Sequence, residues 1–426
     1  MPTSTTASNS VRSSTRSLGK ITAVLLTAAM IVGTGLFASL GAATAAAGSG
    51  ILVAMLIGGV IALFTGISAA EVGVNYPEEG GAFIWTRRFG FHTVSFIAGF
   101  SYLFDGIVGL GVLALGFATY SAQIFPGLPI PLAASIALIA VAAVNFFGIS
   151  PTSKILIGIF LINLLLLGLY VAFAVPSAQV KHLTPVLGPG VGGVLSGAAI
   201  FFWTWDGFQR TAIMANNIKD PKRTIPFAIV GGITIAAIVY LIVAGTTLGV
   251  LGADAMGQTD APIFVGAATA IASWGGWMIL ASAWMTSFSE MLGDLLSTSK
   301  VGHAMGTAKE LSHWLGGVHK RFHSPHHAVL VLTIIGLALV NLFPMRLLMP
   351  VASAYTLVWY AATNFAALKL RQKQRFASAL VSWLGIAACL GLFLSLPLWG
   401  IASAAGLLAL LTGIRWLLIR TKMRPA

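Results

Sequence analysis

Apolar residues gather in long blocks separated by short polar or glycine-rich connections. Twelve blocks recur, near 21–44, 51–72, 93–124, 131–148, 154–175, 194–217, 227–249, 264–299, 327–344, 348–369, 378–396 and 399–419. About 20 apolar residues carry a helix across the hydrocarbon core of a bilayer. The pattern therefore predicts an all-α integral membrane protein with twelve transmembrane helices. The blocks at 93–124 and 264–299 are too long to stand upright, so tilt or extension beyond the bilayer is expected.

The blocks also have a rhythm. Residues 21–175 hold five, in the order ordinary, ordinary, very long, short, ordinary, and residues 194–369 repeat that order. An odd number of spans makes the second copy enter the membrane inverted. Two further helices, 378–419, lie outside the repeat, and 1–20 and 420–426 form polar tails. Inverted repeats with helices interrupted at corresponding places point to a secondary transporter.

Two interruptions correspond. Span 1 reads Met30-Ile31-Val32-Gly33-Thr34-Gly35-Leu36-Phe37, and span 6 reads Phe202-Trp203-Thr204-Trp205-Asp206-Gly207-Phe208. Gly35 and Gly207 are 172 residues apart. Two glycines around a threonine lower the cost of unwinding, which frees backbone N–H groups and carbonyls for a ligand. A half-helix N-terminus also favours a carboxylate. The same glycines suit close helix packing, and that motif alone does not choose between the two. Asp206-Gly207 is costly inside a continuous lipid-facing helix and suits a break, where Asp206 caps the next half-helix or meets a ligand. Trp203 and Trp205 are candidate covers for that ligand.

Charge changes the picture little and topology more. The chain is 57% hydrophobic and 8% charged, with a net charge of +13 and a mean hydropathy of +0.93. In a soluble protein that charge would suggest nucleic acid. Here all but four of the 24 Lys and Arg residues fall in connections assigned to one side, so they read as topology determinants and not as a nucleic-acid surface. Lys181 and Arg346 fall on the other side, and Arg210 and Arg415 within spans. This sorting puts both termini in the cytoplasm and supports an even number of spans. Arg12, Arg16 and Lys20 before an apolar run ending at Ala42–Gly48 also form a passable signal peptide. That run is long for such a signal, and its glycines have the explanation above. The single cysteine, Cys389, excludes an intrachain disulfide.

Four ordered stretches resemble the amino acid–polyamine–organocation permeases: Ile31 to Phe37; Ala70 to Gly73 with Pro77 to Phe83; Asn217 to Pro226; and Ser297 to Met305. The resemblance implies the leucine-transporter-type fold, with helices 1 and 6 broken and substrate held by spans 1, 3, 6, 8 and 10. By the same resemblance, a substrate carboxylate meets N–H groups near Gly33, Thr34 and Gly35. The amino group meets carbonyls near Ile31 and Phe202, Trp203 matches the aromatic cap of arginine/agmatine antiporters, and Asp105 falls near a polar substrate-facing position. Two departures stand out. Proton-coupled relatives carry a lysine midway along span 5, where this chain has Asn163, and a Glu pair after span 6 is replaced by Asn216-Asn217. A lysine-based proton switch is thereby disfavoured against exchange, or against proton coupling through another group.

Asp105, Asp206, Glu290 and Asp294 lie within spans, and Arg210 follows Asp206 by four residues. Glu290 and Asp294 share a helix face. One reading pairs Arg210 with Asp206, Glu290 or Asp294 as a gate, with Ser287 and Asn163 as further coupling candidates; the other is a static pair that balances buried charge. The excess carboxylates tilt the expected substrate toward cations, and Asp105 is the better discriminator. The expected partners are an amino acid or amine, the lipid bilayer, and protons as a coupling ion. No cofactor or metal is expected: His323, His326 and His327 lie in a loop without a companion carboxylate or cysteine. Lys309 to Arg321 reads as a short interfacial helix. The rival readings are an exchanger, or a membrane-embedded amino acid sensor that does not transport.

Overall fold

The structure, a computed structural model, describes residues 18–422 except 79, 149–151, 214, 216–217 and 323, without the side chains of 419, 421 and 422. Arg12, Arg16, Arg424, Glu79, Asn216, Asn217 and His323 lie outside the described residues, as does the side chain of Lys422.

The first apolar block forms α1 (Lys20–Ile31) and α2 (Thr34–Ala47), and the second forms α3 (Ile51–Asn75). A short α4 (Gly81–Arg88) leads into α5 (His92–Ile124), α6 (Ile130–Phe146) and α7 (Ser153–Ala174). The sixth block gives α8 (Gly190–Phe201), a 3-10 turn at Phe202–Trp205, and α9 (Phe208–Ile213). Then come α10 (Pro221–Leu251), α11 (Ala253–Gln258), α12 (Pro262–Ile271) and α13 (Ser273–Thr307). The chain closes with α14 (His326–Leu342), α15 (Met345–Leu368), α16 (Ala379–Leu394) and α17 (Leu398–Lys422). Among the described residues the only strand-like pairing is a bridge between Leu18 and Ile218.

Helix α5 is central, packed against α13, α15, α6 and α4. In its most apolar window 83% of residues are buried, against 22% in the window of α7 and 11% in that of α17. The rim helices turn Leu132, Ile136 and Ile139 of α6 and Leu161, Leu165 and Phe173 of α7 outward. Five helical stretches are long and apolar enough to cross a membrane, and five shorter apolar helices accompany them. Helices bond most of their own backbone groups internally, which an apolar exterior requires.

Backbone and side-chain clasps tie the chain reversals at each face. On the face where α1 begins, the Lys219 N–H donates to the Leu18 carbonyl at 3.0 Å. There the Phe376 and Ala377 N–H groups donate to Glu71 of α3 at 2.9 and 2.7 Å. Glu310, just past α13, accepts from Arg87 of α4 at 2.7 Å and from Arg415 of α17 at 2.8 Å. On the opposite face Arg346 pairs with Asp260 and donates to the Gly257 carbonyl at 3.0 Å.

Two expected segments differ. The 264–299 block is not one helix: Ala272, at φ 69 and ψ −168, separates α12 from α13, and Phe264 folds back onto Gly276. α13 then runs on to Thr307. Alanine gives no turn signal, so tertiary packing sets this break against local propensity. The Lys309–Arg321 stretch is a loop with one 3-10 turn, His313–Gly316. The Trp314 ring stacks on His327 with centroids 4.0 Å apart, and Glu310 is drawn to its two arginines. Those contacts replace an interfacial helix.

Ala272 occupies backbone space that glycine alone adopts freely, at a cost of about 1–3 kcal/mol. Ala272→Gly should therefore raise stability by about 1 kcal/mol, read as a higher Tm in detergent; a lower Tm would refute the strain. At Glu310, burial pushes the carboxyl up, but hydrogen bonds from Arg415 and Arg87 outweigh it and hold it below the usual carboxylate range. A lowered folded pKa means the clasp stabilises fully above the unfolded value of about 4.3 and fades as pH falls through the folded one. The Tm gap between wild type and Glu310→Gln should shrink on acidification, and a gap constant down to about pH 3 would contradict this.

Candidate functional site

The two helix breaks lie against each other. α1 stops because Val32 (ψ 88) and Gly33 (φ −136, ψ −150) leave helical geometry, and α2 restarts at Thr34. In the second break Asp206 is extended, and Gly207 sits at φ 113, a conformation L side chains rarely adopt. A Cβ on Gly207 would also run into the Met30 carbonyl oxygen. Gly35 meets Thr204 so closely that a Cβ would lie 3.0 Å from the Thr204 Cα. The glycines thus provide unwinding at one break and contact between both.

Each break releases backbone groups that need partners in an apolar interior. The Thr34 N–H, at the start of α2, donates to Glu290 Oε2 of α13 at 2.6 Å, and the Thr34 hydroxyl donates to Ser287 at 3.0 Å. The Tyr240 hydroxyl of α10 lies 2.7 Å from the Ile31 carbonyl and 2.9 Å from the Thr204 carbonyl. On α15, Ser353 accepts from the Trp203 N–H at 3.2 Å and donates to the Ile200 carbonyl at 3.1 Å.

The ionisable residues sort into three environments. Arg210 bridges two acids, with Nη2 3.2 Å from Asp294 and 3.6 Å from Asp206. Asp206 also accepts from the Tyr360 hydroxyl at 2.7 Å, so its partners are Tyr360 and Arg210. Glu290 has the neutral Thr34 donor. Asp105 is buried, and both oxygens accept from α15: from the Thr356 hydroxyl at 2.7 Å and the Trp359 indole at 3.1 Å. That engagement ties α5 to α15 and leaves Asp105 less open to a substrate than its place in the sequence suggests. Asn163 on α7 is buried and accepts from Ser282 of α13, so the span 5 position is bonded to the same helix that holds Ser287 and Glu290.

The two tryptophans diverge. Trp203 lies against Gly109 of α5, where a Cβ would sit 3.0 Å from the ring. Trp205 turns the other way, over Gly58 and Gly59 of α3 and edge-on to Tyr240 at 5.0 Å. Its ring packs on α3, away from Trp203. Phe202 packs edge-on to Tyr360 at 5.8 Å.

Sequence reading missed Tyr240, Ser353, Thr356, Trp359 and Tyr360. A lone tyrosine in the apolar Ile235–Ile242 stretch was the available signal, since a buried phenol needs a partner. The serine and threonine carry no such signal, because their hydroxyls can bond back within their own helix.

Comparison with known proteins agrees with this architecture. A family model described as amino acid permease matches residues 18–411. An uncharacterized transporter of Mycobacterium tuberculosis is 29% identical over 397 residues, covering 92% of this chain and 89% of that protein. The serine/threonine exchanger SteT of Bacillus subtilis is 25% identical over 394 residues, covering 89% and 90%. The branched-chain amino acid permease BcaP of the same organism is 23% identical over 388 residues, covering 86% and 83%. With a match across nearly its whole length and an apolar, multi-helix body, the chain belongs to the amino acid permease family of membrane transporters.

Proposed function

We propose that this protein is a secondary active transporter that moves amino acids or related amines by alternating access. The observation that carries the reading is the contact between the two helix breaks, Gly35 on Thr204 and Gly207 on Met30, deep in the helical bundle. In this reading the chain has twelve spans in two inverted sets of five plus two, with both termini in the cytoplasm. Substrate lies between the breaks, near Gly33–Gly35, Phe202 and Trp203.

The moving unit comprises α1–α2, α3, α8–α9 and α10. Support comes from contacts within that set: Trp205 on α3, Tyr240 at both breaks, and Gly73 of α3 against Ala212 of α9. Arg210, on the moving side, and Asp294, on α13, form the gate pair. Four carboxylates against one arginine favour a substrate that carries a cation. Exchange is a second reading, favoured by Asn163 in place of a lysine and by the likeness to a serine/threonine exchanger.

Reconstituted protein tested in liposomes with labelled amino acids and amines, with and without internal substrate or a pH gradient, checks the reading. Uptake is expected, and a requirement for internal substrate would mark exchange. Binding without flux under every condition would favour a sensor and end the transporter reading. Removing one partner of a part-buried ion pair leaves the other uncompensated. Arg210→Ala should therefore slow transport about tenfold or more, the effect of roughly 1.4 kcal/mol on one of two gate states. An unchanged rate and affinity would reduce the pair to static charge balance.

A further inference from the structure

Glu290 occupies the position at which a ligand carboxylate would meet α2. Its Oε2 takes the first N–H of that helix, the Thr34 donor, at 2.6 Å. The seat is filled closely, since a Cβ on Gly33 would overlap the Glu290 carboxylate. The helix dipole favours an anion there. The charged and titratable groups that face Glu290 are Arg210 of α9, Asp206 of the second break, Asp294 one turn along α13, and the Tyr240 phenol of α10.

Among the described residues, Arg210 is within 4.0 Å of Asp206 and Asp294 but not of Glu290. Asp206 and Asp294 thus share a cation, and Asp105 is held by two donors from α15. Glu290 is the one acid of the four that can take a proton without breaking an ion pair or leaving two buried donors bare. A second carboxylate cannot join it at one N–H, because two like charges a few ångströms apart in a low-dielectric interior cannot both stay ionised.

We propose that Glu290 is a tethered stand-in for the substrate carboxylate, displaced as the neutral acid when an amino acid binds, so that binding takes up one proton. The inference rests on the amino acid reading above. The proton passes from water to Glu290, and the Thr34 N–H bond passes from Glu290 to the incoming carboxylate. An amine without a carboxylate leaves Glu290 ionised and in place. The proton coupling that a span 5 lysine would supply is thereby assigned to α13.

The test is calorimetric binding to the full chain in lipid nanodiscs, in buffers of different ionisation enthalpy. The probes are three pairs: L-arginine and agmatine, L-serine and ethanolamine, L-leucine and isopentylamine. At about pH 8 wild type should take up about one proton per bound amino acid and close to none per amine. Glu290→Gln should take up close to none with either, and its binding of the amine would show that the variant is folded. Binding of an amino acid without proton uptake by wild type, or equal uptake by Glu290→Gln, would overturn the proposal. If no probe binds, the amino acid reading fails separately. Glu290 is then read without ligand, from infrared pH-difference spectra of wild type and Glu290→Gln. A carboxylate-to-acid band lost in the variant upholds a proton-accepting Glu290, and identical spectra reject it.

Discussion

A helix interrupted inside an apolar bundle must find partners for the N–H groups and carbonyls it releases, and most of this site is the answer to that constraint. An unpartnered buried polar group costs about 1–3 kcal/mol. The structure supplies side chains from three helices that are not broken: Glu290 and Ser287 from α13, Tyr240 from α10, and Ser353 from α15. Their positions follow from the two breaks. The glycines that permit the unwinding also bring the breaks into contact, so the capping groups converge in one place.

The contacts around the breaks are of two kinds. Within the set formed by α1–α2, α3, α8–α9 and α10 they are largely close-packed and aromatic, with Trp205 over Gly58 and Gly59 and edge-on to Tyr240. From that set to α13 and α15 they include polar pairs, Thr34 to Glu290, Trp203 to Ser353, Asp206 to Tyr360, Arg210 to Asp294 and Gln209 to Thr363, beside the rings of Phe202 and Phe208 on Tyr360. Close packing resists gradual deformation, whereas hydrogen bonds between polar groups exchange readily with those of a ligand or water. The polar pairs are thus the part of this seam that exchanges most readily.

Much of this was legible in the sequence. The block pattern gave the all-helical body, and the paired glycine motifs gave the positions of the breaks, because glycine and Asp-Gly inside an apolar run have few other uses. The acids and Arg210 were legible for the same reason, since an intramembrane charge needs a partner. The partners themselves were not. The donors to Asp105, Thr356 and Trp359, lie about 250 positions away along the chain. The break at Ala272 was hidden because alanine favours helix everywhere. The divergence of Trp203 and Trp205 is not legible because the 3-10 turn that points them apart cannot be read from residue type.

The Tyr240 hydroxyl carries one proton and faces two carbonyls, those of Ile31 and Thr204. It can bond strongly to only one at a time, so one of the two lone-pair acceptors is always underserved. One phenol therefore couples the two breaks: whichever carbonyl it serves, the other keeps acceptor capacity, so the bonding at Ile31 and at Thr204 cannot change independently.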